Sequence, residues 1–127
     1  MNWVIDNLKF DEKGLISTII QDYQTKEILM FAFMNKESVE ITLKEKKCCY
    51  YSRSRKKLWL KGEESGNFQF VKDVRVDCDQ DALLIQVEQK GGACHEGYRS
   101  CFFRDVKEKD YEICSEKLFD PKTVYKK

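Results

Sequence analysis

The feature that most constrains the fold is a polar pentad, residues 77–81, between two segments of alternating apolar residues. Apolar side chains recur at every second position on both sides of it, at Val74, Val76, Leu83, Ile85 and Val87. This period is typical of β-strands with one buried face. The sequence therefore predicts a β-hairpin that turns near Gln80.

The other apolar segments predict a β-rich α+β fold. The hairpin strands are expected over residues 68–77 and 82–88, and further strands over residues 15–21, 28–33, 48–52 and 100–104. The polar residues 22–26 are typical of a hairpin connection, and Gly91 and Gly92 are typical of a turn. The prediction is a mostly antiparallel sheet domain.

One main helix is predicted after the second strand. Asn35 is a suitable N-cap, and Glu37 suits the first helical turn. Val39 and Leu43 lie four residues apart, which places both on one helix face. The pattern predicts a helix over residues 36–46.

Length and charge limit the class of protein. A chain of 127 residues predicts a single domain over residues 1–127, with its core at about 14–104 and a terminal extension at about 114–127. The 23 Lys and Arg residues nearly balance the 22 Asp and Glu residues. No global charge therefore attracts nucleic acid or an acidic membrane surface.

The first residues carry no basic start followed by an apolar segment, and no apolar run reaches the ~18 residues of a membrane span. We therefore expect a cytoplasmic protein with reduced thiols. In that compartment, clustered cysteines more often indicate metal binding or catalysis than disulfides.

Three carboxylates, Asp77, Asp79 and Asp81, alternate within the pentad. An extended backbone would place them on one face and Cys78 on the other, and a bend at Gln80 would let them converge. Carboxylates that converge repel one another unless a cation lies between them, and oxygen ligands favour Mg²⁺. The alternative is an exposed acidic turn that binds nothing.

Cys78, Cys94 and Cys101 are candidate zinc ligands, although their spacing is not the C-x-x-C of a zinc finger. Three thiolates with an open fourth position have the composition of a catalytic zinc site. The alternative is that cysteines are small buried hydrophobic residues. That interpretation is the one given to Cys48, Cys49 and Cys114, which have no such polar context.

His95 is the single histidine. Because it follows Cys94 directly, its ring should point away from a metal held by that cysteine. General acid/base catalysis therefore suits it better than direct ligation. A purely structural histidine is the alternative.

A basic, hydroxyl-rich segment provides candidate substrate contacts. Basic and hydroxyl side chains favour phosphate binding, and an aromatic ring can stack on a base; the candidates are Arg53, Ser54, Trp59, Lys61 and Ser65. A solvated strand end and loop is the alternative. For the whole protein, a zinc-stabilised nucleic-acid-binding module and a thiol redox sensor compete with an enzyme.

Taken together, these motifs resemble the phosphoribosyl-AMP cyclohydrolase family of histidine biosynthesis. The resemblance rests on residues 29–35, 50–54, 76–84 and 93–102 and on Trp59-x-Lys61-Gly62-x-x-Ser65-Gly66, in unbroken order within residues 14–104. Two positions depart from the family pattern. Gln80 stands where the family usually has glycine, and the pair Cys48 and Cys49 is unusual.

The resemblance implies hydrolysis of the adenine ring of 1-(5-phosphoribosyl)-AMP between N1 and C6, which gives the formimino carboxamide ribotide. It implies that Cys78, Cys94 and Cys101 bind Zn²⁺ and that Asp77, Asp79 and Asp81 bind Mg²⁺. His95 would transfer a proton, while Arg53, Ser54, Lys61 and Ser65 would hold the two phosphate ends. The family is also described as a dimer with shared sites.

The spacing of the cysteines favours the same assembly. If residues 74–88 form a hairpin, Cys94 lies beyond the return strand, roughly 20 Å from Cys78. One chain would not close that site. We therefore predict an intertwined homodimer in which Cys78 of one subunit completes the zinc site of the other.

Overall fold

The alternating segments form two neighbouring strands of the main sheet. In the computed structural model, which describes residues 2–124, the elements in chain order are α1 (Asn2–Asn7), β1 (Ile16–Asp22), β2 (Ile28–Met34), α2 (Lys36–Glu45), β3 (Cys49–Ser52), β4 (Lys57–Leu60), β5 (Gln69–Val76), β6 (Ala82–Gln89), β7 (Arg104–Val106), β8 (Tyr111–Ile113) and α3 (Pro121–Val124). Strands β5 and β6 pair antiparallel, with Val74 opposite Ile85. The predicted hairpin is confirmed.

The main sheet has the strand order β2-β1-β6-β5. The pairs β1–β2 and β5–β6 are antiparallel, whereas β1 and β6 are parallel. The smaller hairpins β3–β4 and β7–β8 are also antiparallel. The prediction of a single β-rich, mostly antiparallel α+β domain is thus confirmed.

One face of the main sheet holds the hydrophobic core. Ile16 and Ile20 of β1 and Leu83 and Ile85 of β6 are almost fully buried there. Their alternation follows from the two-residue period of a strand, which sends every second side chain to the same face. Residues of α1, α2, β3 and the residue directly before β3 complete the core and cover this face: Ile5, Val39, Tyr50 and Cys48.

The predicted main helix is present as α2. Asn35 Oδ1 accepts a hydrogen bond from Ser38 N at 2.8 Å, and Ser38 Oγ accepts one from Asn35 N at 2.8 Å. This reciprocal capping box satisfies two backbone donors at the start of the helix. Lys46, in the left-handed conformation with φ 60°, ends the helix.

The predicted strand over residues 100–104 is wrong. Residues 100–103 form no strand, and β7 begins only at Arg104. The segment is apolar, but its hydrogen-bond donors are bound to carbonyl groups of β2. Ser100 Oγ donates to Ile28 O at 2.7 Å, and Cys101 N donates to Leu29 O at 2.7 Å. A stacked Tyr98–Phe103 pair then turns the chain toward β7.

Helices α1 and α3 and strands β4 and β8 were not predicted from the sequence. The expected terminal extension at 114–127 is described up to residue 124, and part of it packs on the preceding loop, since Leu118 N donates to Gly97 O at 2.6 Å. None of the helices within residues 2–124 is both long and apolar enough to cross a membrane.

Candidate functional site

The aspartate pentad forms a tight turn between β5 and β6. The strand ends at Val76, so the backbone is not extended through the three aspartates as the strand period alone would place it. The expected bend is present at Gln80, which has φ 63°. As a result, carboxylate oxygens of Asp77, Asp79 and Asp81 lie within 4.8 Å of one another, and all three side chains are exposed.

Hydrogen bonds hold this turn in place. Asp77 Oδ1 accepts from Asp81 N at 2.9 Å and from Ala82 N at 3.1 Å. Asp77 N donates to Ala82 O at 3.1 Å, and Gln80 N donates to Asp77 O at 3.1 Å. The main chain therefore fixes the position of Asp77, around which the other two carboxylates gather.

The protonation of the turn reflects the crowding of negative charge. Desolvation raises the pKa of Asp77, but hydrogen bonds from the Asp81 carboxyl and from backbone N–H groups lower it by more, so it lies below its usual value. The pKa of Asp81 is raised because its carboxyl donates to Asp77 and because Asp77 and Asp79 are negatively charged. Negative charge is thus concentrated where a hard divalent cation would fit.

Replacing Gln80 with glycine should stabilise the protein. The left-handed conformation is unfavourable for a residue with a Cβ atom, whereas glycine adopts it freely at some cost in unfolded-state entropy, so the free energy of unfolding should rise by about 0.5–1 kcal/mol. Urea denaturation in the presence of a chelator measures this change. Gln80→Ala is the matched control and should show no gain, because alanine keeps the Cβ atom. A Gln80→Gly protein less stable than the Gln80→Ala protein would contradict the prediction.

Cys94 and Cys101 form the second cluster. Their thiols are hydrogen-bonded to each other, Cys94 is buried and Cys101 is exposed. Glu96 N also donates to Cys94 Sγ at 3.4 Å. Two soft sulfur ligands in contact, one open to solvent, are a suitable half of a zinc site that other ligands would complete.

One of the two protons of the thiol pair is lost more easily than that of an ordinary cysteine. The hydrogen bond from Cys101 lowers the pKa of Cys94 to about 6, against desolvation, and the Glu96 N–H lowers it further. The pKa of Cys101 is raised far above its usual value because its thiol donates to the Cys94 thiolate. The two groups titrate as a pair that shares one proton.

Hydrogen bonds and ion pairs anchor the loop that carries these thiols to the β1–β2 hairpin. Arg99 pairs with the Asp22 carboxylate, and Arg99 Nε donates to Glu27 Oε1 at 3.1 Å. Asp22 is itself held by Gln24 N at 2.8 Å and Thr25 N at 2.9 Å. The sequence pattern predicts no role for Arg99 or Asp22. Their separation along the chain hides this contact, and only the Asx-type turn after Asp22 is visible in the sequence.

Cys78 does not join the thiol pair within this chain. In residues 2–124, the one group of three or more converging ligand residues is the aspartate cluster. Ala82, next to the aspartate turn, pairs with Ser17 of β1, and Ser17 pairs with Phe33 near the end of β2. Cys101 N, by contrast, donates a hydrogen bond to Leu29 O near the start of β2. The clusters therefore lie at opposite ends of the seven-residue strand β2, whose length is about 20 Å.

The three cysteines that are not candidate zinc ligands differ in burial. Cys48 and Cys49 are buried, and burial raises the pKa of Cys48 to about 12, as expected for an unreactive thiol in the core. Cys114 is exposed. The interpretation of Cys114 as a buried hydrophobic residue is therefore wrong, because the hairpin β7–β8 that ends beside it is itself exposed.

His95 is exposed next to Cys94. Cys94 and Gly97 enclose it in a tight turn, in which Gly97 N donates to Cys94 O at 3.1 Å and Gly97 has φ 103°. The side chain is therefore open to solvent one residue from the thiol of Cys94. Its role in proton transfer stays a prediction.

The candidate substrate contacts lie at both ends of the β3–β4 hairpin. Arg53 and Ser54 are in its turn, where the Arg53 guanidinium lies 4.1 Å from the centre of the Phe33 ring. Arg53 also lines an open cleft of about 410 Å³ together with Phe33, Asp11, Glu12, Lys13 and Leu15. This cleft is at the aspartate end of the sheet, because Phe33 aligns there with Ala82.

Trp59, Lys61 and Ser65 are at or beyond the other end of that hairpin. Trp59 is exposed and packs against Tyr50 with ring centres 5.5 Å apart. Ser65 is half-buried, and its Oγ accepts from Asn67 N at 3.1 Å. Lys61 is buried, and its Nζ donates to Ala93 O. Of these three residues, Trp59 is the one that offers a large open surface to a ligand.

The fold and these clusters define a small α+β domain with a thiol pair at one end of its sheet and a carboxylate turn at the other. A family model described as phosphoribosyl-AMP cyclohydrolase matches residues 30–103. The chain therefore belongs to the phosphoribosyl-AMP cyclohydrolase family, which confirms the resemblance carried by the motifs.

Curated relatives agree over nearly the whole chain. A phosphoribosyl-AMP cyclohydrolase from Chlorobium phaeobacteroides is 58% identical over 124 residues, which cover 97% of this chain and 90% of the relative. Relatives of the same name are 55% identical in Prosthecochloris aestuarii over 97% of this chain and 56% identical in Chloroherpeton thalassium over 98%, and 90% of each relative is covered. The chain is thus an enzyme of this family, a hydrolase of histidine biosynthesis.

Proposed function

We propose that this enzyme uses zinc to open the adenine ring of 1-(5-phosphoribosyl)-AMP between N1 and C6. The observation that carries the proposal is the Cys94–Cys101 thiol pair, in which the hydrogen bond from Cys101 lowers the pKa of Cys94 to about 6. Such a pair offers soft anionic ligands beside the exposed His95. When bound there, zinc makes a water molecule acidic enough to act as a nucleophile near neutral pH.

The third zinc ligand would be Cys78 of the partner subunit. Cys78 is exposed and lies at the sheet end opposite the thiol pair. A second copy of the chain, turned so that its strands run antiparallel to the first, would bring these two ends together. Each of the two sites would then take Cys78 from one subunit and Cys94 and Cys101 from the other.

The outer face of the main sheet supports this homodimer. Ile19 lies between Phe31 of β2 and Leu84 of β6 on the face opposite the core. Ile19 is 38% exposed and Phe31 is 47% exposed, and Phe33 packs edge-on against Phe31 with ring centres 5.2 Å apart. A continuous apolar patch of this kind favours burial against another protein surface.

Different residues would then have different roles toward one substrate. His95 moves a proton to or from the attacking water or the departing ring nitrogen. Arg53, Ser54 and Ser65 hold phosphate groups, and Trp59 stacks on the purine. Asp77, Asp79 and Asp81 hold Mg²⁺, because their carboxylate oxygens converge within 4.8 Å of one another and oxygen ligands suit this ion. The predicted phosphate contact of Lys61 receives no support from its burial.

All six cysteines are free, which agrees with the reducing cytoplasm that the sequence predicts. The alternative of a nucleic-acid-binding module gains no specific support. It requires a closed four-ligand metal and a basic surface, whereas the chain has a formal charge of +1 and an exposed thiol in its cluster.

Metal removal tests the proposal. Protein stripped of metal by a thiol-compatible chelator should lose turnover of phosphoribosyl-AMP, and Zn²⁺ alone should restore it, because the soft thiolates select zinc. Mg²⁺ alone should restore nothing, although it should increase turnover when added after zinc. Cys94→Ala protein is the matched control and should stay inactive with both ions. Full turnover by exhaustively stripped wild-type protein would rule out zinc catalysis.

A further inference from the structure

Lys61 is the most deeply buried basic side chain in the described part of the protein, at 1% exposed. It follows β4, at the start of the loop that leads to β5. Gly62, the next residue, is also buried. It has φ 94°, and a Cβ atom there would lie 2.6 Å from Phe68 N, so the chain can turn directly after Lys61 only because this residue is glycine.

The ammonium group lacks a carboxylate partner. Its Nζ donates to Ala93 O, a neutral acceptor, and none of the ion pairs found within residues 2–124 includes Lys61. A buried charge of this kind is costly unless an opposite charge lies nearby. The titratable groups that interact with it electrostatically are the thiols of Cys101 and Cys94. Burial lowers the pKa of Lys61, and these two thiols counteract that effect.

Through Ala93, Lys61 is linked to both ends of the loop that carries Cys94 and Cys101. Ala93, which accepts its hydrogen bond, precedes Cys94 directly. Ala93 is also tied to the return segment of the loop, since its N–H donates to Arg99 O at 2.8 Å. The ammonium is thus buried beside the residue that precedes Cys94, and its Nζ lies 5.3 Å from the centre of the Trp59 ring.

We propose that Lys61 is the fixed counter-charge of the zinc site, and this rests on the proposed zinc ligation by three cysteines. One Zn²⁺ with three thiolates has a formal charge of −1, and the Lys61 ammonium brings the total to zero. Lys61 then strengthens zinc binding by offsetting the repulsion among the thiolates. Its positive charge would also lower the pKa of a water bound to the zinc, compared with a site of three thiolates alone.

Zinc affinity of the full-length protein measures this role. In competition with a chromophoric chelator, Lys61→Met and Lys61→Gln should bind zinc about 10–100-fold more weakly than wild type, as is typical when a group behind a metal ligand is lost. Lys61→Gln keeps a hydrogen-bond donor for Ala93 O, so a loss in both variants reports the charge. Lys57→Met, at an exposed position on β4, is the matched control and should bind zinc as wild type does.

A change in the charge of the site separates an electrostatic role from a structural one. In a Cys78→Ser background the zinc has two thiolates and a neutral site, so replacing Lys61 with Met or Gln should there cost much less affinity than in wild type. An equal cost in both backgrounds would overturn the proposal, because the lysine would then merely hold the loop. Thermal unfolding of the metal-free variants verifies that each one folds.

The outcomes also distinguish this inference from the proposed function. Wild-type protein that binds no zinc at the thiol pair would overturn both. Tight zinc binding that requires Cys94 but is the same in wild type, Lys61→Met and Lys61→Gln would overturn the role of Lys61 alone.

Discussion

An equal mixture of Cys78→Ala and Cys101→Ala subunits should recover about a quarter of wild-type turnover, although each variant alone is inactive. Half of the randomly assembled dimers are heterodimers. In each of these, one site receives both substitutions, and the other combines an intact Cys78 with an intact Cys94 and Cys101 of the partner subunit. The measurement is turnover and zinc content after the two variants, carrying different affinity tags, are unfolded, mixed and refolded.

The matched control is a mixture of Cys94→Ala and Cys101→Ala subunits. Both residues belong to the same half-site, since their thiols are hydrogen-bonded within one chain. No arrangement of these subunits gives an intact site, so turnover should stay at the level of the separate variants. Purified Cys78→Ala/Cys101→Ala heterodimers that bind no zinc would show that the subunits do not share the site.

The strands were predictable where burial alone determines the pattern. Ile16 and Ile20, like Leu83 and Ile85, alternate with less buried neighbours because one face of their sheet is in the core. The parallel contact between β1 and β6 was not predictable in the same way, because it joins segments more than 60 residues apart. Such a contact depends on the packing of the whole sheet.

The aspartate turn and the thiol pair also differ in whether their contacts are local in the sequence. The aspartate turn could be predicted because all of its determinants are local, including the bend at Gln80 with φ 63°. The contact between Cys94 and Cys101 depends on the docking of their loop against Leu29 and Asp22, far away along the chain. For that reason, the apolar segment at 100–104 had the pattern of a strand but not the structure.

The burial of Lys61 was the least predictable feature of the site. Lysine is almost always exposed unless it is paired, so a basic residue in a polar loop is naturally interpreted as a surface contact for phosphate. Its burial depends on contacts that exist only once the loop is folded, including the hydrogen bond from Nζ to Ala93 O and the close approach of Gly62 to Phe68. The thiol pair then provides negative charge near the buried ammonium, whereas Glu63 and Glu64, which follow Lys61 closely, are exposed.

Replacing His95 with glutamine should lower kcat by about 10²–10⁴-fold while zinc content stays unchanged. His95 is exposed beside a candidate zinc ligand, and glutamine preserves hydrogen bonding at this position but cannot exchange a proton near neutral pH. Because the lost interaction belongs to the transition state, kcat and kcat/KM should fall together. Steady-state kinetics together with metal analysis of the same samples measure both effects.

Glu96→Gln is the matched control for this experiment, because Glu96 is the adjacent exposed residue and its carboxylate lies 4.0 Å from Arg104 at the surface. It should change kcat far less than His95→Gln does, since an exposed ion pair contributes little and Glu96 has no proposed part in proton transfer. If His95→Gln retained wild-type kcat with full zinc content, the proton would have to move through another group. Within this loop the remaining candidates are the Glu96 carboxyl and solvent, and the Glu96→Gln variant distinguishes between them: a fall in its kcat would identify the carboxyl, and an unchanged kcat would leave solvent as the proton carrier.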